Sequence, residues 1–364
     1  MNPTVSTTRL AWPVLGVVVV LAAIAPLLVS GFFLSVILTK ALWLGIAAAS
    51  LIFLAAYGGM VSLAQVGIYG IAGMTYANLV LADGGVAAAW DPYLALVVAL
   101  VVATVVGLGF GWIAARSEGI YFLMITLAFS VLVFYFFSQV TGLSGFGGIN
   151  SVDLPGIVGS PESDPVPRYF LTLVVAVLVF LGLAALSRTA FGLGLQGVRD
   201  EPARMHALGF NVLLHRTLAF GIAAFVAGVA GVLSVFYNGR ITPGSINLAQ
   251  TIDILIIAVI GGLYRLEGAW IGAFTYALID NYSREWVPQV GNVLGPARFN
   301  TLIGVLFLII VLASPGGIIG IWDRAKAKLG NADRNAGAGS GAGRRGADRQ
   351  RPETPDQRTV PQER

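Results

Sequence analysis

The chain has 364 residues, of which 57% are hydrophobic and only 11% charged, with a mean hydropathy of +0.82. Soluble proteins carry about 25% charged residues, so this chain has too little polar surface to cover itself in water and reads as an integral membrane protein. Having no cysteine excludes disulfides, thiolate catalysis and cysteine-ligated zinc.

The net charge of +4 belongs to the C-terminal end. From Asp323 onward ten Lys and Arg face six Asp and Glu, whereas residues 1–322 sum to zero. That tail lacks aromatic residues and mixes both signs, which argues against nucleic acid as a partner.

In chain order, residues 1–11 are polar with Arg9 as the only charge, and an uncharged run extends from Trp12 to Ser30. A signal peptide competes for this stretch, but the run exceeds a usual signal core and leads almost directly into another, which favours a retained first span. Spans are expected near 13–30, 34–57, 61–82, 93–115, 119–138, 169–187, 217–237, 248–263, 269–282 and 299–314. The expected fold is therefore all-α and polytopic, with about ten transmembrane helices in a domain of residues 1–322.

Ten spans put both termini on one side. With the N-terminus inside, Arg9, Arg116, Arg188, Arg199, Arg204, Arg216, Arg265 and the basic tail are cytoplasmic, against Arg168, Arg240, Arg284 and Arg298 outside. The positive-inside bias supports that orientation. The glycine-broken region from Ile252 to Asp280 is where a short span is most easily misplaced.

The longest outside segment, Gln139 to Arg168, is expected to include a short helix or a partly re-entrant piece; it either receives a partner or merely connects. Residues 323–364, rich in Gly, Ala, Arg, Asp and Pro, read as a basic, disordered cytoplasmic tail.

No G-x-x-x-x-G-K-[ST] motif occurs, so the chain is not expected to hydrolyse ATP itself. His206 and His215 lie nine residues apart without a nearby cysteine or paired carboxylate, so no metal site is expected. Ser, Asp and His form no nucleophile motif, so there are no catalytic candidates and the chain is not expected to be an enzyme.

Lys40 and Asp253 come nearest to true intramembrane charges. Each is a functional candidate by default, or an interfacial residue whose lysine snorkels or whose aspartate caps a helix. In the third span, Ser62 and Gln65 can hydrogen-bond between helices, while Gly67 and Gly70 let backbones meet. Packing and pathway lining are both open readings there.

A short polar segment, Gly197 to Gly209, interrupts the membrane-grade sequence. Asp200 is expected to accept from the first free amides of a short helix, Glu201 to add negative charge in its first turn, and Pro202 to be tolerated there. Ala203, Ala207 and Leu208 share one face, Arg199 and Arg204 reach away from it, and Gly209 stops the helix. A small apolar face framed by arginines suits a groove of another protein. The alternative is a cytoplasmic connector whose arginines serve only the positive-inside bias.

Several stretches resemble the permease subunits of branched-chain amino-acid ABC importers, specifically the LivM-type member. Ser62 to Met74 is similar to that family's Ser-Leu-Gly-Gln/His run into Gly-Ile-Gly-Ala-Tyr, with Ala64 in place of the glycine. Residues 119–129 are similar to its Gly-x-Tyr-Phe-x-x-x-Thr-Leu-Ala-Phe and include Thr126. Thr141-Gly142 begins like its Thr-Gly-Gly, from which Leu143 departs. Arg199, Glu201, Ala203, Ala207, Leu208, Gly209 and Asn211 resemble its ATPase-docking loop. Gly261-Gly262-Leu263 through Gly268 and Gly272 resemble its glycine-rich motif, with Tyr264 and Arg265 departing.

The match spans roughly residues 35–320. The resemblance implies a type II importer permease in a bacterial cytoplasmic membrane, paired with a paralogous permease, two ABC ATPases and an extracytoplasmic binding protein. It implies no cofactor in this chain, with ATP and Mg²⁺ held by the partner ATPase. Arg199, Asp200, Glu201, Ala203, Arg204, Ala207, Leu208 and Gly209 would form the docking loop. Ser62, Gln65, Gly67, Gly70, Thr126, Asp253, Gly261 and Gly262 would serve the pathway or helix packing. The competing function is an autonomous channel or secondary carrier for a small solute such as urea or an amide.

Overall fold

The structure is a computed structural model that describes residues 20–27, 29–81, 90–145, 147–150, 152, 155–156, 165–286, 317 and 320. Its helices are α1 (Gly31–Gly58), α2 (Gln65–Val80), α3 (Pro92–Ala114), α4 (Gly119–Gln139), α5 (Pro165–Leu186), α6 (Ala190–Asp200), α7 (Pro202–Ala207), α8 (Val212–Asn238), α9 (Leu248–Gly261) and α10 (Gly268–Trp286). A one-turn helix at Thr141–Ser144 and a 3₁₀ turn at Pro243–Ile246 complete them. Helices α1, α3, α4, α5 and α8 are each long and apolar enough to cross a bilayer, and α9 is a shorter apolar helix. The protein is a polytopic all-α membrane protein.

The expected spans from 34–57 to 269–282 fall on described helices. The span near 299–314, the tail and residues 13–19 and 28 of the first span lie outside the described residues.

Two classes of helix emerge. The most apolar stretches of α1 and α8 are 78% buried within the protein, against 28% for α3, α4 and α5. Helix α3 explains the second class. It buries Ala95, Ala99, Ala103, Gly107 and Gly111, every fourth residue, while Val97, Val101 and Val105 are more than half exposed. A lipid tail is as apolar as valine, so burying the large side chains gains little, whereas a stripe of small residues lets backbones approach. A Cβ on Gly107 would collide with the Ala224 side chain of α8, which packs extensively on α3 and α2.

Helix α2 is buried over nearly its whole length. Its 16 residues span about 24 Å at 1.5 Å per residue, short of a hydrocarbon core of about 30 Å. It starts at Gln65 rather than near residue 61 because two hydroxyls divert the preceding amides. The Leu63 N–H donates to Thr126 Oγ1 at 3.1 Å and the Ala64 N–H to Ser62 Oγ at 3.3 Å.

The segment after α4 holds the one-turn helix expected there. It also pairs with the chain after α8, where Ile149 and Ile241 exchange backbone hydrogen bonds of 2.8 and 2.9 Å.

Candidate functional site

The polar interruption is an elbow of two helices rather than one. Helix α6 is capped by Thr189, whose side chain accepts from the Gly192 N–H, and it buries Leu195 and Val198 against the bundle. It ends at Asp200, and Glu201 turns the chain at φ −146° and ψ 78°. A residue before proline is sterically pushed out of helical geometry, so Pro202 ends α6 as well as opening α7.

The expectation that Asp200 caps the short helix is thereby corrected. Its carboxylate accepts from Arg199 Nε at 2.8 Å, and α7 has no side-chain cap. Helix α7 closes with Gly209 at φ 89°, with the Phe210 N–H reaching back to the Met205 carbonyl in a Schellman-type bond.

Arg199 is also corrected, since it reaches inward. Its Nη1 donates to the Ala56 carbonyl in the last turn of α1, and its stem lies over Gly59, whose φ of 67° ends that helix. The terminal carbonyls of a helix lack internal partners, so Arg199 locks α6 to the end of α1.

The far side of α7 is open. Ala203, Arg204, Ala207, Leu208 and Gly209 are all exposed, Leu208 at 66%. Beside them runs a groove of about 560 Å³ lined by residues including Arg116, His206, Phe210, Asn211 and Leu213. The second histidine belongs to the fold, because the His215 ring stacks on Phe191 at 5.6 Å.

Inside the bundle, Ser62, Gln65 and Thr126 are buried where α2 meets α1 and α4. Ser50 Oγ donates to Gln65 Oε1 at 3.3 Å, and the Ser130 and Thr251 hydroxyls meet at 3.1 Å. Gly67 lies against Ser130 of α4 and Gly70 against Ile246. Gly261 meets the backbone of Gly268 at the crossing of α9 and α10, and Gly262 takes a φ of 118° to make the turn between them.

Asp253 does not join this track. It lies within electrostatic reach of a charged pair in which Lys40 Nζ meets Asp280 Oδ2 at 2.5 Å. Sequence reasoning singled out Lys40 and Asp253 but not Asp280, which sits near the end of an expected span. A lysine inside an apolar run was the signal that a carboxylate had to be sought.

Residues 33–312 match the family model described as branched-chain amino acid transport system / permease component. The chain is 28% identical over 283 residues to a Methanocaldococcus jannaschii protein named "Probable branched-chain amino acid transport permease protein LivH", covering 72% of this chain and 84% of that one. It is 26% identical to the LivM counterpart of the same organism, covering 68% and 75%. It is 25% identical to the Escherichia coli "High-affinity branched-chain amino acid transport system permease protein LivM", covering 75% and 66%. No solved structure matches the chain.

Proposed function

Because the chain belongs to the family of branched-chain amino acid transport permease components, we propose that it is a LivM-type subunit of an ATP-driven importer for branched-chain or similar small amino acids. It would pair with a paralogous permease, receive solute from an extracytoplasmic binding protein and rest on two ATPases that hold ATP and Mg²⁺. Both termini would face the cytoplasm.

The observation that carries this reading is the elbow. Helix α7 offers Ala203, Ala207 and Leu208 outward, while Arg199 fastens the adjoining helix to α1. A push on α7 is thus delivered to a helix at the centre of the bundle. Ala203→Glu should weaken ATPase association at least tenfold, equivalent to about 1.4 kcal/mol. The measurement is co-purification with the ATPases and hydrolysis stimulated by the loaded binding protein. A chain that purifies alone, ignores the ATPases and still passes solute would overturn the reading in favour of a channel or carrier.

A further inference from the structure

Three helices converge to place formal charges inside the bundle, at the half opposite the elbow. Lys40 of α1 pairs with Asp280 of α10, 240 residues away in sequence. Asp253 of α9 lies within electrostatic reach of both, and the Tyr276 hydroxyl donates toward it. Lys40 follows Gly31 by nine residues, about 14 Å along the helix, and Asp253 lies about 8 Å from the start of α9. Neither is at a helix end.

Around this group stand two carboxylates, the Lys40 ammonium and, nearer Tyr237, the Arg168 guanidinium. Asp280 occupies Lys40, and Asp253 has no ion pair among the described residues. An ionised carboxylate at membrane depth is costly without a cation, and an arriving ammonium group would supply one. Lys40 has three N–H donors and a side chain that is 27% exposed, so the bond to Asp280 leaves donors for a second acceptor.

Two further features mark the place as built. The turn of α1 leading into Lys40, Leu34–Thr39, is a π-helix, a distortion found frequently at functional sites. Trp43, less than a turn beyond Lys40, is only 6% exposed, yet its indole N–H has no hydrogen-bond partner among the described residues. Its ring lies 6.0 Å from Tyr69 and 6.3 Å from Tyr237, forming an aromatic wall beside the charges.

We propose that this cluster is a way station for a zwitterion in transit, with the solute's ammonium on Asp253, its carboxylate on Lys40 and the Trp43 indole N–H, and Asp280 holding Lys40 in place. An apolar solute side chain would lie against the aromatic wall. The inference rests on the reading that the chain conducts an amino-acid-like solute. Because α1 is gripped at its other end by Arg199, movement of the elbow would shift Lys40 relative to Asp253 and so release the solute.

The test uses the assembled complex in nanodiscs and saturation-transfer NMR with three probes. These are L-leucine, 4-methylpentanoate, which lacks the ammonium, and isopentylamine, which lacks the carboxylate. Asp253→Asn should weaken leucine at least tenfold and leave 4-methylpentanoate unchanged. Lys40→Gln should weaken leucine without weakening isopentylamine, and Lys40→Arg should recover leucine.

If leucine binds equally to wild type, Asp253→Asn and Lys40→Gln while import by the wild-type complex is intact, the way station is wrong and the importer reading stands. Loss of all three probes alike in either variant would also overturn the charge-specific assignment. A wild-type chain that neither assembles with ATPases nor imports leucine would overturn the importer reading and this inference with it.

Discussion

A cation secures each half of α1, but the two arrangements are physically different. At one end the Arg199 guanidinium donates to the Ala56 carbonyl and shares the Asp200 carboxylate, which is 63% exposed. In the other half Lys40 meets a carboxylate that is only 9% exposed and belongs to a helix far away in sequence. If Arg199 is removed, water can reach the carbonyl it capped, because the elbow lies at the edge of the bundle. If Lys40 is removed, Asp280 loses that cation in a place water barely reaches. Position in the bundle, more than the type of bond, decides what each cation is worth.

The sharpest break of this contrast is Lys40→Met. It should destabilise the fold by about 3–5 kcal/mol, the range for breaking a buried ion pair by removing one member. The check is the unfolding midpoint in mild detergent. Adding Asp280→Leu should recover most of the loss, because replacing both members of a buried ion pair by apolar residues is often close to neutral. If the double variant were as unstable as the single one, the contrast drawn here would fail.

Arg199→Ala should cost less, about 1–2 kcal/mol, the range of a charge-assisted hydrogen bond discounted for partial exposure. Its larger consequence should be functional. ATPase subunits would still bind α7, but hydrolysis would no longer drive import, because the grip on α1 is gone. The comparison of ATP hydrolysed with solute imported in proteoliposomes reads this directly.

The smallest effect on stability should come from the tip of the elbow. Leu208→Ala removes a side chain that is 66% exposed, so its unfolding midpoint should stay within about 0.5 kcal/mol of wild type. ATPase association should nevertheless weaken. A fall in stability there would mean that Leu208 packs on the protein itself rather than on a partner.

Much of this was legible in the residues. The apolar runs located the described spans because a membrane helix must carry its hydrophobicity continuously. The stop at Gly209 followed from local chemistry. The break at Glu201 was legible too, in the proline that follows it, but Asp200 offers the better cap and drew the boundary one residue early. The late start of α2 was not legible, because it depends on Thr126 of another helix accepting the Leu63 N–H.

The sequence by itself determined that the chain lives in a membrane, where most of its helices run, and that a short polar segment interrupts them. These follow from composition, period and capping, which act over a few residues. Only the tertiary structure decided that Arg199 turns inward, that α3 presents its valines to lipid and its alanines to α8, and that Lys40 belongs to Asp280. Each is a meeting of distant segments in a medium where apolar surface gives little direction, so the small residues and the few buried charges set the arrangement.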